Sequence, residues 1–257
     1  MRPGGYPARM RLLTIVPALA AFVCVNAAFA GDAAPKRPVV VELYTSQGCS
    51  SCPPADALLG QLAARPDILA MSLPITYWDM LGWKDTLASE ANTRRQKAYA
   101  AALGKGAVYT PQMIVDGVTD VVGSRETTVK DDIVARLADM RAIPVSLNAV
   151  PGQVHVVIGA GAKPGADATI WAFHILSQAT VNIGDGENDG RKITYHNVVR
   201  DLKAVGMWKG DTVALDLPRH DPSDPPHDGL AIIVQQAGYG RVIGAAFITK
   251  PDYYAER

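Results

Sequence analysis

The stretch Ser46-Gln47-Gly48-Cys49-Ser50-Ser51-Cys52-Pro53-Pro54, SQGCSSCPP, sets two cysteines three apart between an apolar run and a helical pattern. Upstream, Val39-Val40-Val41-Glu42-Leu43-Tyr44 is a β-branched run suited to a buried central strand. Downstream, Ala55, Leu58, Leu59 and Leu62 fall at i, i+3, i+4 and i+7, a helical stripe that Pro66 closes. A C-x-x-C at such a junction suits redox chemistry. Three residues of separation let the sulfurs bond, and the unpaired N–H groups of a helix start stabilise a thiolate. Cys49 is therefore expected to be the nucleophile and Cys52 the resolving thiol of one disulfide couple. The prolines leave two geometries open. Either Cys52 is the N-cap, with Pro53 and Pro54 in the first two helical positions, or the helix starts nearer Cys49 and is distorted at the prolines. An inert disulfide and a metal half-site are the competing readings of the pair, although nothing nearby supplies the further ligands of a four-ligand zinc site.

The first thirty residues read as a secretory signal peptide. Arg2, Arg9 and Arg11 precede an apolar run from Leu12 to Ala28, and Ala28-Phe29-Ala30 is an A-x-A cleavage site. The expected protein is thus exported, periplasmic or secreted. Cys24 leaves with residues 1–30, so only Cys49 and Cys52 meet an oxidising compartment, where cysteines tend to be paired. Lys plus Arg and Asp plus Glu are equal at 25 each, and no basic run stands out. Nothing recommends nucleic acid as a partner, and after leader removal no segment is long and apolar enough for a bilayer.

The remaining chain divides by its pattern into two parts. Over 36–142 the order is β-α-β-α-β-β-α: after the elements above come a strand at 68–75, a helix-forming run at 89–103 ending at Gly104, strands around Asp116-Gly117, and a helix from about Thr127 to Met140. Over 144–250 helical stripes give way to about seven short alternating strands with Gly, Pro and Asp turns, the pattern of a β-sandwich. The expected fold is an α/β thioredoxin-like domain over 36–142 followed by an all-β sandwich domain over 144–250.

Two further features suit redox chemistry. Glu42 interrupts the apolar strand that leads to the cysteines; buried there, its carboxyl would titrate high and could carry a proton for Cys52, whereas at a strand edge it would only face water. Thr110-Pro111 precedes a strand, and a cis bond there would turn the Thr110 backbone toward the pair. The segments ELYTSQGCSSCPPAD, YWDMLGWKD, YTPQMIVDG and NVVR together resemble a family of exported bacterial thioredoxin-like proteins catalogued as a domain of unknown function. The resemblance spans nearly the whole exported chain. It implies the thioredoxin fold, with Glu42 matching the buried acid of thioredoxins at a spacing one residue longer. The family pattern often has His-x-Asp before Tyr-Trp-Asp; this chain has Pro74 and Thr76 there, which removes any acid–base role of those side chains. Loops after successive parallel strands gather at one sheet edge, so Trp78 and Trp83 are expected beside Cys49, either as a platform for a partner's peptide or as caps on the sheet core.

Other constellations are weaker. Asp185 to Gly190, DGENDG, resembles the opening of a calcium loop, but its twelfth position is His196, and a polar hairpin turn is the simpler reading. His220 to Asp228 lacks zinc-site spacing, and Arg200 is a candidate to pair with Glu187 or Asp189. The expectation is an exported thiol–disulfide oxidoreductase working through Cys49, Cys52 and Glu42. Thr110, Pro111, Trp78 and Trp83 shape its substrate edge, no cofactor or metal takes part, and the partner is a protein or small-molecule thiol or disulfide. The alternatives are a non-catalytic binding or assembly protein and a copper-delivery protein.

Overall fold

A computed structural model describes residues 37–138, 142–219 and 225–254, together with Met1 and Gly4. The leader assigned to residues 1–30 lies outside the described residues, apart from those two. From residue 37 onward the described chain falls in one unit. The first half runs β1 (Val39–Thr45), α1 (Pro53–Ala63), β2 (Ile68–Pro74), α2 (Glu90–Ala102), β3 (Gln112–Val115), β4 (Thr119–Val122) and α3 (Glu126–Leu137). The second half runs β5 (Val145–Val150), β6 (Gln153–Ile158), β7 (Ala168–Asn182), β8 (Lys192–Trp208), β9 (Val213–Pro218), β10 (Gly229–Gln235) and β11 (Val242–Thr249).

The order of elements in the first half follows the sequence pattern, but the expected division into a thioredoxin-like α/β domain and a separate sandwich is overturned. Among the described residues eleven strands stand against three α-helices, and eight of those strands form one mixed sheet in the order β11-β10-β7-β8-β2-β1-β3-β4. The join is at β2 and β8, which pair in parallel with Ser72 opposite Val198. Asn197 sits at φ 47°, a left-handed conformation that asparagine tolerates, and its side-chain amide donates to the Ala70 carbonyl of β2 at 2.9 Å. The segment NVVR is therefore where the two halves are stitched together. A second sheet, β5-β6-β9, covers one face of the β7, β8 and β10 region through Val154, Val156 and Ile158 against Ile170, Ala172 and Ile232. The sandwich thus exists, but its larger layer belongs to the same sheet as β1.

Period-two alternation sorts β1 between two cores. Val39, Val41 and Leu43 face α1 and α3 through Leu58, Leu59, Val129 and Ile133. Val40 and Tyr44 face the opposite side, where Tyr99 of α2 meets Phe173, Ile175, Ala231, Ile233 and Val242. Residues from both ends of the sheet meet on this second face because the sheet curls round α2. The Val242 N–H donates to the Asp116 carbonyl at 2.9 Å, joining the start of β11 to the β3–β4 turn. Asp116 and Gly117 take φ of 52° and 71°, as the Asp-Gly pattern predicts. Gly117 is also pressed so closely on Gly240 that a Cβ there would lie 2.4 Å from the Gly240 carbonyl oxygen.

Inside the curl lies a buried ion pair. Arg95 of α2 donates from Nε and Nη2 to Glu42 at 2.6 and 2.9 Å, and from Nη2 to the Gln235 side chain of β10 at 3.1 Å. The Tyr99 and Tyr44 hydroxyls donate to the same carboxylate at 2.7 and 3.1 Å. Rings of Tyr99, Trp171, Phe173 and Tyr239 surround the guanidinium at 4.9 to 5.5 Å. Burial works against the charge on Arg95, but Glu42 together with Tyr99 and Tyr44 outweighs it and holds the guanidinium protonated. Removing one partner leaves the other charge buried and uncompensated. Arg95→Met is expected to lower the unfolding free energy by about 3–5 kcal/mol in a denaturant melt. Glu42→Leu/Arg95→Met should recover most of that loss, whereas a double-variant cost equal to the sum of the Glu42→Leu and Arg95→Met costs would show that the pair is not coupled.

Candidate functional site

The polypeptide leaves β1 at Thr45 and reverses through two tight turns before α1. Cys49 N–H donates to Ser46 O at 3.2 Å, and Cys52 N–H to Cys49 O at 3.1 Å. Cys52 is the N-cap of α1, and Pro53 and Pro54 take the first helical positions, where a missing N–H costs nothing. Cys52 O accepts from the N–H groups of Ala55 and Asp56 at 2.8 and 3.1 Å. This settles the two geometries left open by the sequence: Cys49 lies one turn outside the helix. Cys49 and Cys52 are joined by a disulfide with Cα atoms 5.4 Å apart. The Ser51 hydroxyl lies 3.4 Å from the Cys49 sulfur and, in the disulfide state, is the only possible donor of that contact.

Accessibility departs from the expectation. Ser50 and Ser51 are exposed, but Cys49 is only 2% exposed and Cys52 fully buried. The cover comes from an unexpected place. The tip of the β7–β8 hairpin carries a short 3₁₀ turn, Gly186–Asn188, capped by Asp185, whose carboxylate accepts from the Gly186 N–H at 2.7 Å. From this strap the buried Asn188 amide donates to the carbonyls of Gln47 and Cys49 at 2.8 and 2.9 Å. Glu187 accepts from the Ser50 N–H at 3.1 Å, and its hydrogen bonds to Ser50 hold its carboxyl below the usual range. Asp185 to Gly190 is thus a clamp on the cysteine turn. Among the described residues no group of three or more His, Cys, Asp or Glu side chains is placed to hold a metal.

The aromatic loop after β2 lies against the same turn, as the sequence suggests. Trp78 is half-buried; a Cβ at Gly48 would lie 3.4 Å from it, and its indole N–H donates to the Thr110 hydroxyl at 2.8 Å. Thr110-Pro111 is a cis peptide, and Pro111 is buried at the start of β3. The Trp83 indole donates to the Gln47 side chain at 2.8 Å and packs against Gly184 and Gly186. Gly186 has φ of +76°, and a Cβ there would also crowd the Trp83 side chain at 3.3 Å, so glycine is required twice over. Trp78, Trp83 and Thr110 therefore form one hydrogen-bonded setting around Cys49, with Pro111 next in chain to Thr110. Met80 and Leu81, at the tip of the loop, are exposed.

Glu42 does not belong to this site. It lies on the face of β1 that carries Val40 and Tyr44, opposite to α1, and its carboxylate is fully engaged by Arg95 and Tyr99. The strand's alternation places it across the sheet from Cys52. Arg200 likewise pairs elsewhere than expected, donating to the Leu87 carbonyl at 3.1 Å, and burial holds its pKa down. Two acids that the sequence reading passed over take the place beside the cysteines. Asp85 accepts from the N–H groups of Gln47 and Leu87, each at 2.8 Å, and from Ala88 at 3.1 Å; burial pushes its pKa up to about 6 against those bonds. Asp56, in the first turn of α1, is buried, and neither carboxyl oxygen makes a hydrogen bond of good geometry, although the Thr45 hydroxyl is close enough to favour its charge. Burial pushes it up to about 8, opposed by the Thr45 hydroxyl and reinforced by the charge of Asp85. The only available signal was position: Asp56 stands four residues after Cys52, within the segment CPPAD.

The fold and site define a mixed-sheet protein with a bridged C-x-x-C at a helix start, clamped by a hairpin from its second half. The chain belongs to the family described as "Protein of unknown function (DUF1223)", which matches residues 40–235. It is similar to the crystal structure of protein AGR_C_4864 from Agrobacterium tumefaciens, with 32% identity and a TM-score of 0.73 over 87% of this chain and 99% of that one. It also shares its fold with HBP35 of Porphyromonas gingivalis, at 13% identity and a TM-score of 0.58, over 83% of this chain and 75% of that one. No curated protein matches.

Asn188→Ala removes both side-chain bonds to the cysteine turn. Losing about 1–2 kcal/mol of local closure would raise the rate at which dithiothreitol reduces the disulfide by about 5- to 30-fold. An unchanged reduction rate, followed by alkylation and mass spectrometry, would show that the clamp does not guard the sulfurs.

Proposed function

We propose that this chain is an exported thiol–disulfide oxidoreductase whose working couple is Cys49 and Cys52. The observation that carries this reading is the placement of the disulfide. It closes the turn that precedes α1, around exposed Ser50 and Ser51, with the Ser51 hydroxyl 3.4 Å from the Cys49 sulfur. A hydroxyl stabilises a thiolate better than a bridged sulfur, so it favours release of Cys49 as a nucleophile. Cys52, buried beneath the prolines, is the resolving partner. The half-buried Trp78 and Trp83 with exposed Met80 and Leu81 supply an apolar margin for a partner that carries a thiol or disulfide. Export rests on the basic, apolar and A-x-A pattern of residues 1–30.

The burial of Cys49 favours a second reading, a structural staple that pins the cysteine turn to the sheet. The two separate on whether a thiol can be captured. Reduced Cys52→Ser protein mixed with oxidised glutathione should form a mixed disulfide at Cys49, one glutathione per chain by mass. Cys49→Ser should form at least tenfold less, in keeping with the buried position of Cys52. Equal, negligible capture by both variants would establish the staple.

A further inference from the structure

The structure assigns to Asp56 the exchange of a proton with Cys52 during disulfide formation and reduction, an inference that rests on the redox reading above. Its placement is the first argument. Asp56 follows Cys52 by four residues, and Cys52 itself has helical dihedrals, φ −78° and ψ −35°, so the two side chains share one face a turn apart. Side chains on a helix lean toward its N-terminus, which directs the Asp56 carboxyl back over Cys52.

Its surroundings are the second argument. A carboxyl buried to 3% exposure without a hydrogen bond of good geometry is costly and rare in a settled core. Around it lie other buried oxygens that lack partners: Thr45 Oγ1 at the end of β1, Ser72 Oγ on the same face of β2, and the Tyr195 hydroxyl of β8. Thr45 and Ser72 share with Leu43 the face of the sheet that α1 covers. The titratable groups that face Asp56 are Asp85 from the loop after β2 and Tyr195 from β8, with His196 against Gly60 one turn further along α1. Burial and the charges of Asp56 and Asp85 hold the Tyr195 phenol neutral. With the carboxyl pushed up to about 8, Asp56 changes its protonation near neutral pH.

The chemistry balances as follows. The Cys49 thiolate attacks a partner disulfide, forming a Cys49–partner bond and expelling the other partner sulfur as a thiolate. The Cys52 thiol then gives its proton to the Asp56 carboxylate and attacks the Cys49 sulfur. The Cys49–Cys52 bond forms as the second partner sulfur leaves, so two electrons pass from the cysteines to the partner disulfide. In the reverse direction a partner thiolate attacks Cys49, and the departing Cys52 sulfur takes its proton from the Asp56 carboxylic acid.

The test follows single turnover of the reduced protein with excess oxidised glutathione between pH 5 and 9, by acid quench, alkylation and mass spectrometry. Mixed-disulfide formation depends on glutathione concentration, and resolution by Cys52 does not. In the wild type, resolution should speed up as pH rises toward about 8, because the carboxylate is the proton acceptor. Asp56→Asn should slow resolution at pH 7 by about 10- to 100-fold and move its profile to the alkaline range, with mixed-disulfide formation changed less than about twofold. Asp56→Glu should restore a profile of wild-type shape. Asp85→Asn, which removes the like charge, should move that profile toward acid. Wild-type and Asp56→Asn resolution profiles that superimpose would overturn the assignment while leaving the redox reading intact. If oxidised glutathione instead leaves both thiols of the wild type free, with neither a mixed disulfide nor the Cys49–Cys52 disulfide formed, the redox reading falls, and the assignment with it.

Discussion

A guanidinium that cannot be left uncovered organises this protein. Arg95 projects from α2 into the core with its charge paired to Glu42, and a charge so placed needs partners on every side. The first half of the chain supplies the carboxylate of β1 and the hydroxyls of Tyr44 and Tyr99. The rest comes from the second half: Gln235 of β10, the rings of Trp171 and Phe173 of β7, and Tyr239 from the β10–β11 turn. A separate α/β domain ending after α3 would lack Gln235 and the rings of Trp171, Phe173 and Tyr239, and would expose that guanidinium to water. The sheet that continues from β4 to β11 and curls round α2 is the arrangement that closes the pocket.

The same continuity builds the cysteine site. Because β8 pairs with β2 rather than with a sandwich of its own, the β7–β8 hairpin runs past the join, and its tip reaches the turn that holds Cys49. The clamp from Asn188 and Glu187 is therefore a consequence of the sheet's topology. It gives the disulfide a cover that separates it from solvent. Meanwhile the alternation of β1 divides labour between its two faces. Glu42 serves the ion pair on one face, and Thr45 shares the other with Asp56 and the resolving cysteine.

What the sequence discloses is local, and what it conceals is pairing over distance. The strand, turn and helix around SQGCSSCPP, the Asp-Gly turn and the helix-forming run that becomes α2 are set by neighbouring residues, and all are found where the pattern places them. Trp78 and Trp83 stand by Cys49 because loops after adjacent parallel strands share an edge. Three features have no local signature. Ser72 meets Val198 across about half of the chain, β7 and β8 run to 15 and 17 residues through bulges at Ile170/Trp171 and His174/Ile175, and DGENDG becomes a clamp because a partner lies beneath it. Glu42 was legible as a buried acid, but period two fixes only that it faces away from Leu43; which helix covers which face follows from the fold. Asp56 was hidden by its ordinary position in the first helical turn, where an acid also favours the helix dipole.

The central claim is that Cys49 and Cys52 are an exchangeable couple held ready at the start of α1. The reduction potential of the protein, read by equilibrating it in glutathione buffers and quantifying free thiols, tests that claim most directly. A working couple should titrate between about −270 and −120 mV, the range of catalytic dithiols. A potential below about −300 mV, where structural disulfides lie, would contradict it.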